Sequence, residues 1–175
     1  MDVLNIHQRE FAADPQRLGA LLDSLASDED RLWPKRLWPR MAFDRPLGVG
    51  ARGGHGPIRY FVEKYTPGES IECRFTGPKG FAGVHGFEIV AGPERTSALR
   101  HTVKMRTHGA AILSWPLIYR PMHDALIEDA LATAEVSLGL SPTVKAWSVR
   151  VRMLRRIVSR GKARPARGPV GVVGR

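Results

Sequence analysis

The sequence predicts an α+β domain: a curved antiparallel sheet of six or seven strands, covered on one face by a long helix near the C-terminus. Two patterns carry this. Between residues 58 and 109, segments of alternating apolar and polar side chains are joined by short Gly/Pro turns, as in an antiparallel meander. Residues 118–138 instead repeat their apolar side chains at helical spacing, which supplies the cover a one-sided sheet requires.

The elements follow in chain order. VLNIHQREF (3–11) reads as a first strand with imperfect alternation. Asp14 has the side chain of an N-cap and Pro15 suits the first helical position. Leu18, Leu21, Leu22 and Leu25 then mark a short helix to about Ala26. A second short helix is expected from Asp28–Asp30, stopped by Pro34. DRPLG and GARGGHGP read as connections. Strands are expected at 58–66, at 70–77 (Ile71, Cys73 and Phe75 on one face), at 84–91 (His85, Phe87 and Ile89) and at 97–109. In the last of these, Leu99, His101, Val103 and Met105 oppose Arg100, Thr102, Lys104 and Arg106. On the helix, Leu126, Ile127, Ala130, Leu131, Ala134 and Leu138 form a wide apolar arc, and Asp124, Glu128 and Glu135 form a stripe read as solvated. Pro116 is expected near its start. Pro121 either begins the regular part or kinks the helix near Leu117 by removing a hydrogen bond.

Charge divides the chain. It has 27 Lys and Arg against 17 Asp and Glu, and ten of the basic residues lie between Lys145 and Arg175, with no acid among them. Residues 1–144 are therefore electroneutral, and their net charge gives no reason for phosphate binding. We expect one domain over 1–142 and a basic tail over 143–175. Cys73 is the only cysteine, which excludes an intrachain disulfide and a cysteine zinc site. The start of the chain lacks a basic, long-apolar leader pattern and no stretch is apolar enough to span a bilayer, so a cytoplasmic location is expected. The Gly-rich GVGARGGHG lacks the GK[ST] ending of a phosphate loop, and no nucleotide fingerprint or Ser-His-Asp pattern is present.

Four stretches carry a resemblance: GARGGHGPIRYFVEKYTPGESIECRF, GFAGVHGFEIV, TSALRHTVKM and LSWPLIYRPMHDALIEDALATAE. With the first strand they cover about 1–139 and resemble the START-like helix-grip superfamily (SRPBCC). That group includes polyketide cyclases, lipid-transfer domains and the birch-pollen allergen; the style is that of uncharacterised bacterial members. The resemblance implies a hydrophobic cavity between sheet and long helix that takes a small apolar ligand. Some relatives cyclise or dehydrate polyketide chains there, so the fold does not choose between carrier and enzyme. The basic tail is outside the family pattern.

Periodicity names what would line such a cavity. From the strands come Tyr60, Cys73, Phe75, His85, Phe87, His101, Val103 and Met105; from the helix come His123 and Ile127. His101 and His123 are the candidate general acid/base groups, since an imidazole titrates near neutrality. The plainer reading has each histidine hydrogen-bonded within the core. Spacings of 16 and 22 residues match no compact zinc motif, so no metal or other cofactor is expected. Tyr60 offers a hydroxyl, Cys73 a small buried side chain, and His55 a place on the cavity rim. Trp33 and Trp38 suit a lid or a loop anchor, and Trp115 the helix start.

In the tail, Trp147, Val151, Leu154 and Val158 fall on one side of a helix, with Arg152, Arg155, Arg156 and Arg160 on the other. The residues beyond have the Pro/Gly-rich composition of a disordered end. Three readings compete: weak contact of these arginines with an anionic membrane, nonspecific nucleic-acid binding, or packing of the apolar side on the domain. For the whole chain the leading expectation is a binding protein for a lipid-like or polyketide-like molecule. The alternatives are a cyclase/dehydratase-type enzyme, and a membrane-peripheral or partner-binding protein whose core is filled.

Overall fold

The computed structural model describes residues 1–93 and 96–160, with side chains as far as Ile157 in the last helix. Seven strands form one antiparallel sheet: β1 (Asp2–Phe11), β2 (Ala42–Phe43), β3 (Arg52–His55), β4 (Ile58–Thr66), β5 (Ser70–Gly77), β6 (Phe81–Ala91) and β7 (Ser97–Thr107). Their order across the sheet is β1-β7-β6-β5-β4-β3-β2. Helix α1 (Pro15–Asp23) follows β1, and α2 (Ala111–Ser114), a π-helical turn (Trp115–Tyr119) and α3 (Arg120–Ser137) follow β7 as one continuous rod. The last element is α4 (Val149–Arg160).

Local chemistry explains most boundaries. Asp14 caps α1, accepting from the Gln16 amide at 2.9 Å, with Pro15 at the first helical position. The second short helix expected from Asp28 does not form. The buried Asp30 carboxylate accepts from the amides of Ala26, Leu32 and Trp33 at 2.8–2.9 Å, which fixes a loop instead. The Gly-rich connection contains strand β3. At Gly53 a Cβ would stand 1.9 Å from the Ala42 carbonyl oxygen, so β2 and β3 pair only because no side chain is there.

The central meander keeps the expected parity. Cys73 pairs with His85, Phe87 with His101, and His85 with Val103, so all face the helix side. Strand β1 reverses its apparent pattern. Leu4 and Ile6 are 67% and 53% exposed, whereas Asn5, His7 and Arg9 face inward opposite Val103, His101 and Leu99. The helix stripe read as solvated meets them. Arg9 donates to Glu128 at 2.9 Å and to Glu135 at 2.7 Å, and His7 contacts Glu128 at 3.1 Å and Asp124 at 3.0 Å. A charged seam thus fastens the edge strand to α3, while Leu126, Ile127, Leu131, Ala134 and Leu138 join the main core.

Pro121 disturbs the long helix as its missing amide requires. The Arg120 amide donates to the Trp115 carbonyl, five residues back, and Pro121 has no amide to give to Leu117. The carbonyls of Pro116 and Leu117 are left over, and Arg150 Nη2 in α4 donates to them at 3.3 and 2.6 Å. The beginning of the tail therefore repairs the helix.

Candidate functional site

A cavity of about 440 Å³ lies between the concave face of the sheet and the helix 111–137. From the strands, Ile71, Cys73, Phe75, Phe81, His85, Phe87 and His101 reach its wall; from the helical rod, Trp115, Met122, His123, Leu126 and Ile127 do so. The loop before β2 closes one side with Trp33, Trp38 and Met41, and His55 stands near Pro57 and Ile58. Among the described residues no aspartate or glutamate lines it, and the charged groups there are Arg36 and Arg155.

The expected strand and helix positions divide into two groups. Cys73, Phe75, His85, Phe87, His101, His123 and Ile127 come together on the cavity wall. Tyr60, Val103 and Met105 share the same sheet face without reaching it. Tyr60 is 1% exposed and lies beneath His85, with ring centroids 4.7 Å apart. Val103 and Met105 belong to a second apolar cluster with Phe81, Ala111 and Trp115.

Four imidazoles form a row from the seam inward. His7 and His123 have ring centroids 5.9 Å apart, His123 and His101 5.0 Å, and His101 and His85 5.8 Å. His85 also stacks on Phe75 at 4.5 Å, and Phe87 presents its edge to His101 at 4.6 Å. His85 Nε2, His101 Nδ1 and both ring nitrogens of His123 are buried without a protein hydrogen-bond partner. A buried polar atom left in that state costs about 1–3 kcal/mol.

Burial sets the charge of the row. It holds the pKa values of His85 and His101 well below the usual histidine range, and repulsion from neighbouring histidines adds to this. Burial also lowers His123, partly countered by Asp124, and takes His55 down to about 3. His7 differs. Burial would lower it, but hydrogen bonds to Asp124 and Glu128 prevail and raise it. Burial thus favours neutral imidazoles at the cavity, while the carboxylates of the seam shift His7 toward its protonated form. The Cys73 thiol is pushed up to about 12 by burial, and burial raises Tyr60 well above its ordinary value, so neither ionises near neutrality.

No protein-family model and no curated protein matches this sequence. Solved structures do match in shape. A solution structure of a protein from Thermobifida fusca is 12% identical with a TM-score of 0.60, over 81% of this chain and 99% of that one. CalU16 from Micromonospora echinospora is 10% identical with a TM-score of 0.56, over 92% and 94% of the two chains. Truncated norcoclaurine synthase from Thalictrum flavum is 14% identical with a TM-score of 0.58, over 79% and 94%.

This is a helix-grip fold.

After the helix-grip body comes α4, which docks rather than standing apart. Val151 is 4% exposed. The indoles of Trp38 and Trp147 both donate to the buried Asp129 carboxylate, at 2.7 and 2.9 Å. The Arg155 guanidinium lies 4.4 Å from the Trp38 ring centroid and 4.0 Å from that of Trp147, and donates to the Leu37 carbonyl. Arg155, assigned by the helix pattern to a surface-facing side, is thus a wall residue of the cavity. Arg152 and Arg156 are exposed; the side chains of Val158 and Arg160, and all of 161–175, lie outside the described residues. No helix among the described residues is long and apolar enough to cross a membrane.

Sequence reasoning missed His7, Asp124, Asp129, Met41, Met122 and Arg155. One signal was present. The inward phase of β1 (Asn5, His7, Arg9) is polar, and the acids at 124, 128 and 135 keep helical spacing, so the two stripes are complementary.

Proposed function

We propose that this helix-grip domain binds a small molecule with an apolar body and a few hydrogen-bonding groups. The observation that carries this is a cavity of about 440 Å³ with a largely apolar wall, on which three unpartnered imidazoles, His85, His101 and His123, converge with two arginines. That volume falls in the range of about 300–1,000 Å³ usual for ligand pockets, and a few convergent polar groups on an apolar wall are what orient such ligands. His85, His101 and His123 would accept from, or donate to, the ligand and recover the hydrogen bonds they lack. Norcoclaurine synthase, of the same fold, has a structure in complex with dopamine and hydroxybenzaldehyde, two small aromatic molecules, which fits this reading. A cavity of this size speaks against a core filled by side chains.

Carriage is favoured over catalysis by the same imidazoles. A general base works best with a pKa near the working pH. His101, pushed well below that range, is a weak base and a good hydrogen-bond partner. Tyr60 is buried away from the cavity, which leaves it unsuited to orient a substrate. The expected weak contact with an anionic surface falls, among the described arginines, on Arg152 and Arg156, in a cytoplasmic setting.

The test is native mass spectrometry of gently purified protein with organic extraction, followed by titration with hydroxylated aromatic and fatty-acyl probes. Stoichiometric uptake weakened by His85→Phe and His101→Phe supports the reading. Failure to retain or take up any probe would overturn it.

A further inference from the structure

The seam between β1 and α3 holds a second constellation, which adjoins the cavity and shares only His123 with its wall. His7 Nε2 lies 3.0 Å from Asp124 Oδ1, and His123 Nδ1 lies 3.6 Å from the same oxygen. One ligand atom from each of His7, His123 and Asp124 falls within 4.8 Å of the others. An ion held by bonds of about 2.0–2.1 Å brings its donors to about 3–3.5 Å from one another, so small side-chain adjustments suffice. We propose that His7, His123 and Asp124 bind one divalent transition-metal ion, with Zn²⁺ or Co²⁺ as the matching chemistry.

Three further features fit a metal centre better than a simple strand-to-helix clasp. The first is the orphaned ring of His123. Both its nitrogens are buried without a hydrogen-bond partner, the 3.6 Å approach to Asp124 being too long for one. A clasp needs only His7 and gives no partner to His123 Nδ1, the nitrogen nearest Asp124; an ion would use that nitrogen. The second is the outer layer. Glu128 Oε1 contacts His7 Nδ1 at 3.1 Å, turning Nε2 toward Asp124, and Asn5 Nδ2 donates to Asp124 Oδ1 at 3.0 Å. Carboxylate–histidine pairs of this kind fix the ring of a ligating histidine. Glu128 is in turn held by Arg9 at 2.9 Å and Lys145 at 3.2 Å. The third is access. The side chains of His7 and His123 are 13% and 16% exposed and that of Asp124 is 35% exposed, so the carboxylate opens an entry path.

The donor set defines the class of ion. Two imidazoles and one carboxylate suit Zn²⁺, Co²⁺, Ni²⁺ or Cu²⁺; Mg²⁺ and Ca²⁺ take all-oxygen sites. Coordination through His7 Nε2 needs the lone pair of that nitrogen, so the ion takes the place of the proton shared with Asp124. Arg120 Nε, 3.7 Å from Asp124 Oδ2, would keep its contact with the outer carboxylate oxygen. Three protein ligands leave at least one position for water or another small ligand. His123 also forms part of the cavity wall, so an ion there would sense the cavity's occupant, although the site itself does not depend on the cavity reading.

The experiment uses full-length, tag-free protein stripped with a chelator. Zn²⁺ is titrated calorimetrically, and Co²⁺ by its visible absorption. One ion per chain is expected, with affinity falling at least tenfold in His7→Gln and His123→Gln and about tenfold in Glu128→Gln. On the wild type, ¹⁵N shifts of the imidazoles should move on Zn²⁺ addition for His7 and His123, and not for the exposed His108. This second readout stands even if a variant fails to fold. No saturable uptake, uptake unchanged in both folded histidine variants, or shifts confined to other histidines would each overturn the site.

Discussion

Acid should weaken this fold more than its carboxylates alone explain. The perturbation is a step from about pH 7.5 to about pH 5.5, through the intrinsic pKa of histidine near 6.5. His55, His85 and His101 have folded pKa values depressed by burial, so their stabilising contribution is full above 6.5 and is lost as pH falls, because the unfolded chain binds the protons. At about pH 5.5 each such group has cost about 1.4 kcal/mol. His101 alone gives that figure, and all three together give about 4 kcal/mol, a large part of a typical stability of about 5–15 kcal/mol. His123, also lowered, acts in the same direction. His7 acts oppositely: its raised pKa contributes stability fully present below 6.5 and lost as pH rises through the folded value, so it offsets part of the loss. The assay is urea denaturation at both pH values for the wild type and His85→Phe, which keeps a ring against Phe75 and cannot titrate. The variant should lose about 1.4 kcal/mol less than the wild type over the same step. Equal wild-type stability at the two pH values, or an unchanged drop in His85→Phe, would refute the reasoning.

The remaining predictions concern the docked tail and the seam. Asp129→Ala leaves two indole N–H groups without their acceptor and should cost about 2–4 kcal/mol in denaturant titrations, while Asp129→Asn, which keeps an oxygen, should cost less than half of that. Val151→Asp puts a charge against the core and should undock α4, read as a red shift of tryptophan emission as Trp147 meets water, with a loss of at least about 2 kcal/mol. Arg150→Ala frees the carbonyls of Pro116 and Leu117; hydrogen exchange should quicken around the π-helical turn, with at most about 1 kcal/mol of global cost. Arg9→Ala strips Glu128 and Glu135 of their shared partner and should cost about 2–3 kcal/mol, most of it at low salt.

Local patterns were legible where one face is apolar and the other wet. Leu99, His101, Val103 and Met105 alternate with Arg100, Thr102, Lys104 and Arg106, so their direction could be read directly. Asp14 and Pro15 announced α1 for the same local reason. Parity gives a face and not a depth. His85 and His101 reach the cavity while Tyr60, Val103 and Met105 on the same side do not, because neighbouring rings cover them. Strands β2 and β3 were silent, since Gly53 and Gly54 carry no side chain to alternate. The inward polar face of β1 needed its partner: Asn5, His7 and Arg9 are worth burying only against Asp124, Glu128 and Glu135, more than a hundred residues away. Pro121 marked where the long helix would be disturbed, but its remedy, Arg150, comes from a segment whose composition alone reads as a solvated tail.

The packing of Arg155 against both Trp38 and Trp147 has a thermodynamic consequence. The basic segment and the cavity share a residue, so any occupants of the two would be linked through it. A polyanion that captures α4 by charge must first compete with two indole rings. A cavity ligand that favours the docked arginine raises that threshold by the same free energy with which capture of the helix would weaken the ligand. Were both to bind, Arg155 would make ligand and polyanion the two inputs of one reciprocal couple.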